Sequence, residues 1–436
     1  SSGTVVDQFV VGTSNSITIS GRSLTLNPAA DLGYETEYFV VYPAGVIKSS
    51  SGQKENNELI TSFTTKELIY QMWGWGANEK GGIGINDIVE KSSPVQVPGL
   101  DWTILANGLS NEVTGATKAT GTLYLWGQND YGTLGQNQAP AQLAGLSSPT
   151  QVGTDTTWGY AALGNNNAYV TKTDGTLWAW GYNDYGTSGQ NDRVARSSPA
   201  QIPGTTWKNT ATAVNGGSHM WALKTDGTLW GMGRNEYGEL GQNEVATSYS
   251  SPVQISGTTW TTVSGTGGSR PFVTKTDGSL WAWGYQEYGE LGLNQHNVLQ
   301  SSPCQIGTNT NWSGDIGKIG GDGNAMMAVK TDGTLWAWGR NDSSGQLGQN
   351  DRTNRSSPVQ IPGTTWSTVN SAAVGVVHAT KTDGTLWVWG RDGYGVGHLG
   401  LNQQSGAYSS PTQIGEDTGW IRATGGHRTT SIFKEV

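Results

Sequence analysis

The segment Thr176-Leu177-Trp178-Ala179-Trp180 alternates large aromatic with smaller side chains, the period-two signature of a strand that packs one face. Gly181 to Asn191 (GYNDYGTSGQN) follows as turn chemistry, because Gly and Asn adopt positive φ at little steric cost. Ser197-Ser198-Pro199 then precedes the short apolar run Ala200-Gln201-Ile202, and proline at its start is expected to stay outside the ladder interior. Trp207 lies on a further strand, and Trp221-Ala222-Leu223-Lys224 reads as another that ends in Thr225-Asp226-Gly227-Thr228, a tight hairpin signal. The unit therefore predicts a four-stranded antiparallel sheet.

The same pattern recurs along most of the chain. Ser-Ser-Pro ends at Pro94, Pro149, Pro199, Pro252, Pro303, Pro358 and Pro411, and a tryptophan follows each, at 102, 158, 207, 260, 312, 366 and 420. An aromatic-x-Trp-Gly unit recurs with its glycine at 76, 127, 181, 233, 284, 339 and 390, Met232 replacing the tryptophan once. Asp174, Asp226, Asp277, Asp332 and Asp383 repeat the hairpin signal. Seven units of roughly 53 residues cover residues 66–436. Radially repeated four-stranded sheets make a propeller, so an all-β, seven-bladed fold is expected. The last unit ends at Ile432-Phe433-Lys434 without a hairpin or aromatic strand, and the first begins with the run Leu68 to Trp75. The N-terminal strand is thus expected to complete the C-terminal blade and remove exposed sheet edges.

Composition supports this reading. The chain has 436 residues with 65 Gly and 20 Trp, and only 14% charged residues. Glycine in such excess argues against long helices, and the aromatics argue against disorder. No 18-residue apolar run occurs, so membrane insertion is not expected. The net charge of −9 and the lack of any Lys/Arg-rich window argue against a nucleic-acid partner. A single cysteine, Cys304, excludes an internal disulfide and a cysteine-based zinc site; it fills a slot held elsewhere by Val, Thr or Ala and reads as a small strand residue. The sequence starts at Ser1, without a signal-peptide apolar run.

The run Lys172-Thr-Asp-Gly-Thr-Leu-Trp-Ala-Trp-Gly-Tyr-Asn183, then Gly-x-x-Gly-x-Asn191 and Ser-Ser-Pro199, resembles the regulator of chromosome condensation repeat, over all of 66–436. The resemblance implies a seven-bladed propeller scaffold. What it implies for activity is broad: nucleotide exchange on a small GTPase, ultraviolet sensing, or inhibition of secreted β-lactamases, each through different rims and loops. Function must then be read from sites rather than from fold.

Residues 1–65 carry no repeat. Val5 to Val11, Ser16 to Ile19 and Tyr38 to Tyr42 read as strands of a small β-sandwich-like domain. The stretch from Leu26 to Tyr34, the run Tyr38 to Lys48 and Ser62-Phe63-Thr64-Thr65 resemble the C-terminal half of a bacterial immunoglobulin-like domain, a module of surface proteins and phage fibres. Sixty-five residues fall short of the ~100 of a full sandwich, so further chain upstream of Ser1 is expected.

Of five histidines, His219 and His378 share a repeat position twelve residues after their unit's tryptophan, while His296, His398 and His427 are scattered. None has metal-ligand or triad spacing, so no metal, cofactor or catalytic residue is expected. Asp/Glu-Tyr recurs after the aromatic strand as Asp130-Tyr131, Asp184-Tyr185, Glu236-Tyr237 and Glu287-Tyr288, with Tyr394 in a variant unit. Equivalent blade positions set these residues in a ring. One reading is an acidic, aromatic rim that contacts a partner or glycan. The other is turn chemistry with tyrosine covering a blade edge. Each loop offers one acid, too few oxygens for calcium, and no helix follows the glycine-rich loops to hold a phosphate.

Three function classes remain. The first is a non-enzymatic virion or extracellular surface protein whose propeller binds other structural proteins, a host receptor or a glycan, with oligomerisation through the N-terminal region; a secreted or cell-surface adhesin or inhibitor is its close variant. The second is an intracellular exchange factor, which the acidic charge disfavours. The third is light sensing by clustered tryptophans, disfavoured because the sequence sets no group of cations beside them.

Overall fold

The computed structural model describes 17–20, 23–26, 37–42, 44 and 59–64, and then 70–435 except 109–112, 165, 216–217, 266–269, 316, 343, 373–374 and 426–427. The chain forms two compact units, Ser1–Leu68 and Ile69–Val436. In the first, Ile17–Ser20 pairs antiparallel with Ser23–Leu26, and Glu37–Tyr42 with Leu59–Thr64. The strand expected over Val5 to Val11 lies outside the described residues.

The second unit is a seven-bladed propeller of four-stranded antiparallel blades. Blade 2 is typical, its inner, second, third and outer strands being Trp158–Leu163, Asn167–Lys172, Leu177–Gly181 and Arg196–Ile202. The Asp-Gly hairpin joins the second and third strands for a local reason. Asp174 Oδ1 accepts the N–H and the hydroxyl of Thr176 at 2.9 and 2.7 Å, and that hydroxyl accepts the indole N–H of Trp178 at 2.9 Å. Asp226, Asp277, Asp332 and Asp383 repeat the relay onto Trp230, Trp281, Trp336 and Trp387.

Two expectations are corrected. Ser-Ser-Pro does not stand before the outer strand but inside it: Gly181 pairs with Arg196 and Ala179 with Ala200, so Pro199 occupies the irregularity between. Proline is tolerated there because the outer strand is a sheet edge, where a missing N–H costs no ladder bond. Ring closure also takes two N-terminal strands rather than one. Blade 7 combines Trp420–Gly425 and Thr429–Glu435 with Tyr70–Gly76 and Lys91–Gln96. The continuous seven-residue ladder Thr429↔Gly76 to Glu435↔Tyr70 carries the closure. Each blade therefore runs from the tryptophan after one Ser-Ser-Pro to the end of the next.

The inner strands of neighbouring blades approach one another around the axis. The core lies between blades as successive apolar layers, such as Leu335, Leu347 and Ile361 of blade 5 against Trp366, Val377 and Trp389 of blade 6. Six third strands place a buried tryptophan here, and its indole N–H donates to a loop carbonyl of the preceding blade: Trp180 to Thr133 at 2.7 Å, Trp338 to Glu290 at 2.7 Å, Trp75 to His398 at 3.0 Å. Because strands alternate direction, one face carries the long loops between third and outer strands, and the other carries the Asp-Gly hairpins.

Candidate interaction surface

The long loops are held by their own polar side chains. Asn183 Oδ1 accepts the N–H of Ser188 at 2.8 Å, and Asn129, Asn235 and Asn341 do the same for Leu134, Leu240 and Leu347 at 2.9 Å. Gln286 and Asp392 substitute, towards Leu291 at 3.2 Å and His398 at 2.8 Å. Each loop then clasps the next blade. Asn191 N donates to Ser250 O at 2.7 Å, and the contact recurs around the ring, including Asn402 to Ser92 at 2.8 Å and Asn86 to Ser147 at 2.7 Å across blade 7. These asparagines sit at φ near 60°, a region they tolerate. Ser-Ser-Pro is thus the acceptor edge of an inter-blade clasp.

Asp130, Tyr131, Asp184, Tyr185, Glu236, Tyr237, Glu287, Tyr288 and Tyr394 all stand on this loop face. Each tyrosine reaches towards the next blade. Tyr131 packs edge-on to Tyr182 with ring centroids 5.0 Å apart, and Tyr237 meets Tyr285 at 5.5 Å. Arg234 lies over Tyr185 at 5.5 Å and over Tyr237 at 5.9 Å, Arg340 over Tyr288 at 4.8 Å, and Arg428 over Tyr394 at 5.0 Å. An aromatic and guanidinium arc therefore runs over blades 1 to 5, then recurs between blades 6 and 7. The acids do not form a ring of free carboxylates. Asp130 accepts from Gln128 and Glu236 pairs with Arg234 within their own loops. Hydrogen bonding to Asp184 and burial raise the Tyr182 hydroxyl to about 12, burial first, and a hydrogen bond to Glu287 raises that of Tyr288. Tyr131, Tyr237 and Tyr394 remain 40–47% exposed, the same loops expose Ile88, Val89, Val194 and Val245, and Leu299 is exposed at the start of the outer strand of blade 4.

The opposite face holds a feature that the sequence reading missed and indeed denied. Tryptophans do have cationic partners, one lysine per blade at the end of the second strand. Lys381 Nζ lies 3.9 Å from the Trp387 ring centroid and 4.8 Å from that of Trp366, and Lys172, Lys224, Lys275 and Lys330 repeat the sandwich. Lys118 uses Trp102 and Tyr124, and Lys434 uses Trp420 and Trp73 across the closure. The signal was present in Lys-Thr-Asp-Gly-Thr-Leu-Trp, six residues from ammonium to ring, but only the hairpin brings them together. A shallow cleft of about 300 Å³ opens beside one such sandwich between blades 5 and 6, lined by Pro362, Trp366, Lys381, Trp387 and Pro411.

His219, His378 and His398 are interior groups. Burial first, then the neighbouring Arg234, holds His219 down at about 3, and burial, then His398, does the same for His378. His296 is exposed, and His427 lies outside the described residues. Among the described residues no cluster of His, Cys, Asp or Glu could hold a metal ion. The Cys304 thiol donates to Gln300 and is pushed up by burial, which makes it a poor nucleophile.

These features define a closed propeller with patterned loop rims. The chain belongs to the RCC1-like domain family, whose model matches residues 71–432, and residues 2–65 match the bacterial Ig-like domain family. Members of the RCC1-like family are mostly binding and exchange-factor proteins rather than classical enzymes. The ultraviolet-B receptor UVR8 of Arabidopsis thaliana is 27% identical over 335 residues, 76% of this chain and 74% of that protein. The mouse E3 ubiquitin-protein ligase HERC2 is 24% identical over 80% of this chain, which spans only 7% of that protein's length. The fold matches yeast RCC1 (Prp20) bound to Kap60 with TM-score 0.71 and 18% identity, covering 84% of this chain and 89% of the other. Human WBSCR16 matches with TM-score 0.68 and 18% identity, covering 84% and 99%.

Proposed function

We propose that this chain is a non-enzymatic binding protein of a virion or a bacterial cell surface, whose propeller presents its loop face to another structural protein, a host receptor or a surface glycan. The observation that carries the reading is the bacterial Ig-like match over residues 2–65, a module of surface proteins and fibres, joined to the propeller. The loop face supports it. Its Tyr, Gly, Asn and Arg composition is that of recognition loops, in which tyrosine offers contact area at low entropic cost, and its exposed aliphatics extend the same surface. The N-terminal module supplies the attachment and any oligomer.

The test is antibody labelling and external protease treatment of intact particles and cells that carry the protein. Labelling of the outside, with binding to the target surface weakened at least tenfold by Tyr131→Ala plus Tyr237→Ala, is the expected result. A chain confined to the cytosol that accelerates nucleotide exchange on a small GTPase would refute the proposal.

A further inference from the structure

The seven inner strands line the propeller axis, and their charge is unlike that of the rest of the molecule. In a chain of net charge −9, Lys208, Lys318 and Arg422 lie on or beside these strands, and Asp315 and the buried Asp322 flank the blade 5 strand. Lys208 Nζ donates to Thr261 O of the neighbouring blade at 2.7 Å, and Lys318 Nζ donates to Ser367 O, so each ammonium is tethered with donors to spare. Arg422 is different. It rises from the inner strand of blade 7, yet its side chain stands beside Gly317 of blade 5: a Cβ on that glycine would sit 3.1 Å from Arg422 Nε. A side chain that passes the intervening blade 6 in this way runs along the channel wall.

Arg422 Nε and Nη2 are both buried, and neither has a hydrogen-bond partner among the described residues. These two nitrogens form the side-on fork of the guanidinium, the pair that matches the two oxygens of a carboxylate or phosphate. Arg422 as a whole is only partly buried, but guanidinium nitrogens buried without a partner are costly. We propose that the central channel is an anion-binding site, with Arg422 as its anchor and a bidentate oxyanion as its ligand. Lys318 and Lys208 add attraction at the same wall; opposing them beside the blade 5 strand are Asp315, bonded to Ser313 at 3.0 Å, and Asp322, whose Oδ1 accepts the N–H groups of Asn324 and Ala325 at 2.9 and 2.7 Å. The oxyanion is either a free small anion or an acidic side chain that a partner inserts along the axis. This site is independent of the loop face.

The experiment uses the full chain in anion-poor buffer. Inorganic phosphate, succinate and a hexaglutamate peptide are titrated by calorimetry and by thermal unfolding, against Arg422→Gln, Arg422→Lys and the exposed surface control Arg352→Gln. Dose-dependent stabilisation of the wild type and Arg352→Gln is expected, with affinity at least tenfold weaker in Arg422→Gln and intermediate in Arg422→Lys. Response to phosphate or succinate identifies a free anion, and response to the peptide alone identifies an inserted acidic segment. Without anion, Arg422→Gln should melt no lower than wild type, since it removes an unpaired charge. Glu112 is the only carboxylate within 70–435 outside the described residues. If Arg422→Gln and Glu112→Gln both lower the melting temperature, the guanidinium is satisfied within the chain and the proposal fails. It fails equally if no probe binds, or if Arg422→Gln responds as wild type does.

Discussion

Blade 3 departs from the repeat at one buried position, and the departure sets up a double-mutant test of the inter-blade packing. Where six third strands place an indole against the preceding blade, blade 3 has Met232, which is fully buried. The loop carbonyl that would have received the indole N–H is Thr187 O, and it is taken instead by the Tyr169 hydroxyl of blade 2 at 3.1 Å. Tyr169 is itself 1% exposed. Met232→Trp alone meets a filled site, because a Cβ on Gly189 would already stand 2.6 Å from Met232 Sδ; overpacking of this kind costs about 1–3 kcal/mol. Tyr169→Ser alone leaves a cavity worth about 3–5 kcal/mol and strips the Thr187 carbonyl of its donor. Blade 7 carries Ser431 at the register position of Tyr169, three residues before its lysine, and blade 1 carries Trp126. The double substitution therefore rebuilds an interface that the ring already contains. Urea unfolding of the four proteins should show the pair more stable than the sum of the singles by about 2 kcal/mol, within the range for contacting residues. Additivity to within about 0.5 kcal/mol would refute the exchange of donors between Tyr169 and the indole slot.

Gly397 sits at φ 75° with its Cα face against the Ser92 backbone at the closure. Gly397→Ala should cost more than the ~1 kcal/mol of left-handed strain, and hydrogen exchange should rise first in Tyr70–Gly76 and Thr429–Glu435. Lys381→Met should lose about 1 kcal/mol of cation–π stabilisation and shift tryptophan emission, with no change in secondary structure by circular dichroism. For pH, His219 and His378 are held near 3 in the fold against about 6.5 unfolded. The unfolded chain binds more protons between those values, so stability should be flat above about pH 6.5 and fall as pH drops below it. The hairpin aspartates, Asp174 among them, are held below their ordinary value by Thr176 first and weaken the fold further only in stronger acid. A His219→Asn, His378→Asn variant whose melting temperature falls as steeply between pH 6.5 and pH 4 would refute the histidine assignment.

Much of the loop face was legible because turn chemistry is local. Asp130-Tyr131 and its equivalents could be placed on one rim from repeat position alone. What they touch could not. Tyr185 stacks under Arg234 because the blades' twist brings loop n over strand n + 1, a relation that no spacing within a unit reveals. The cation sandwiches were missed for a related reason: Lys172 and Trp158 lie on strands that meet only once the inner strand pairs with the second. Trp221, which fits neither aromatic slot of the repeat, is explained by its neighbour across the blade interface. Its N–H and that of Trp283 share Glu239 O, at 3.0 and 2.8 Å.

By itself the sequence determined the all-β class, the number of blades and the positions of their turns, because strand alternation, Asp-Gly hairpins and glycine's positive φ act over a few residues. Tertiary structure decided where a blade begins, that two N-terminal strands close the ring, which acids are neutralised, and that Arg422 of blade 7 reaches Gly317 of blade 5. Those outcomes depend on partners as distant in sequence as Trp75 and His398. Pairing across such separations is selected by the packing of whole blades, and no local pattern encodes it.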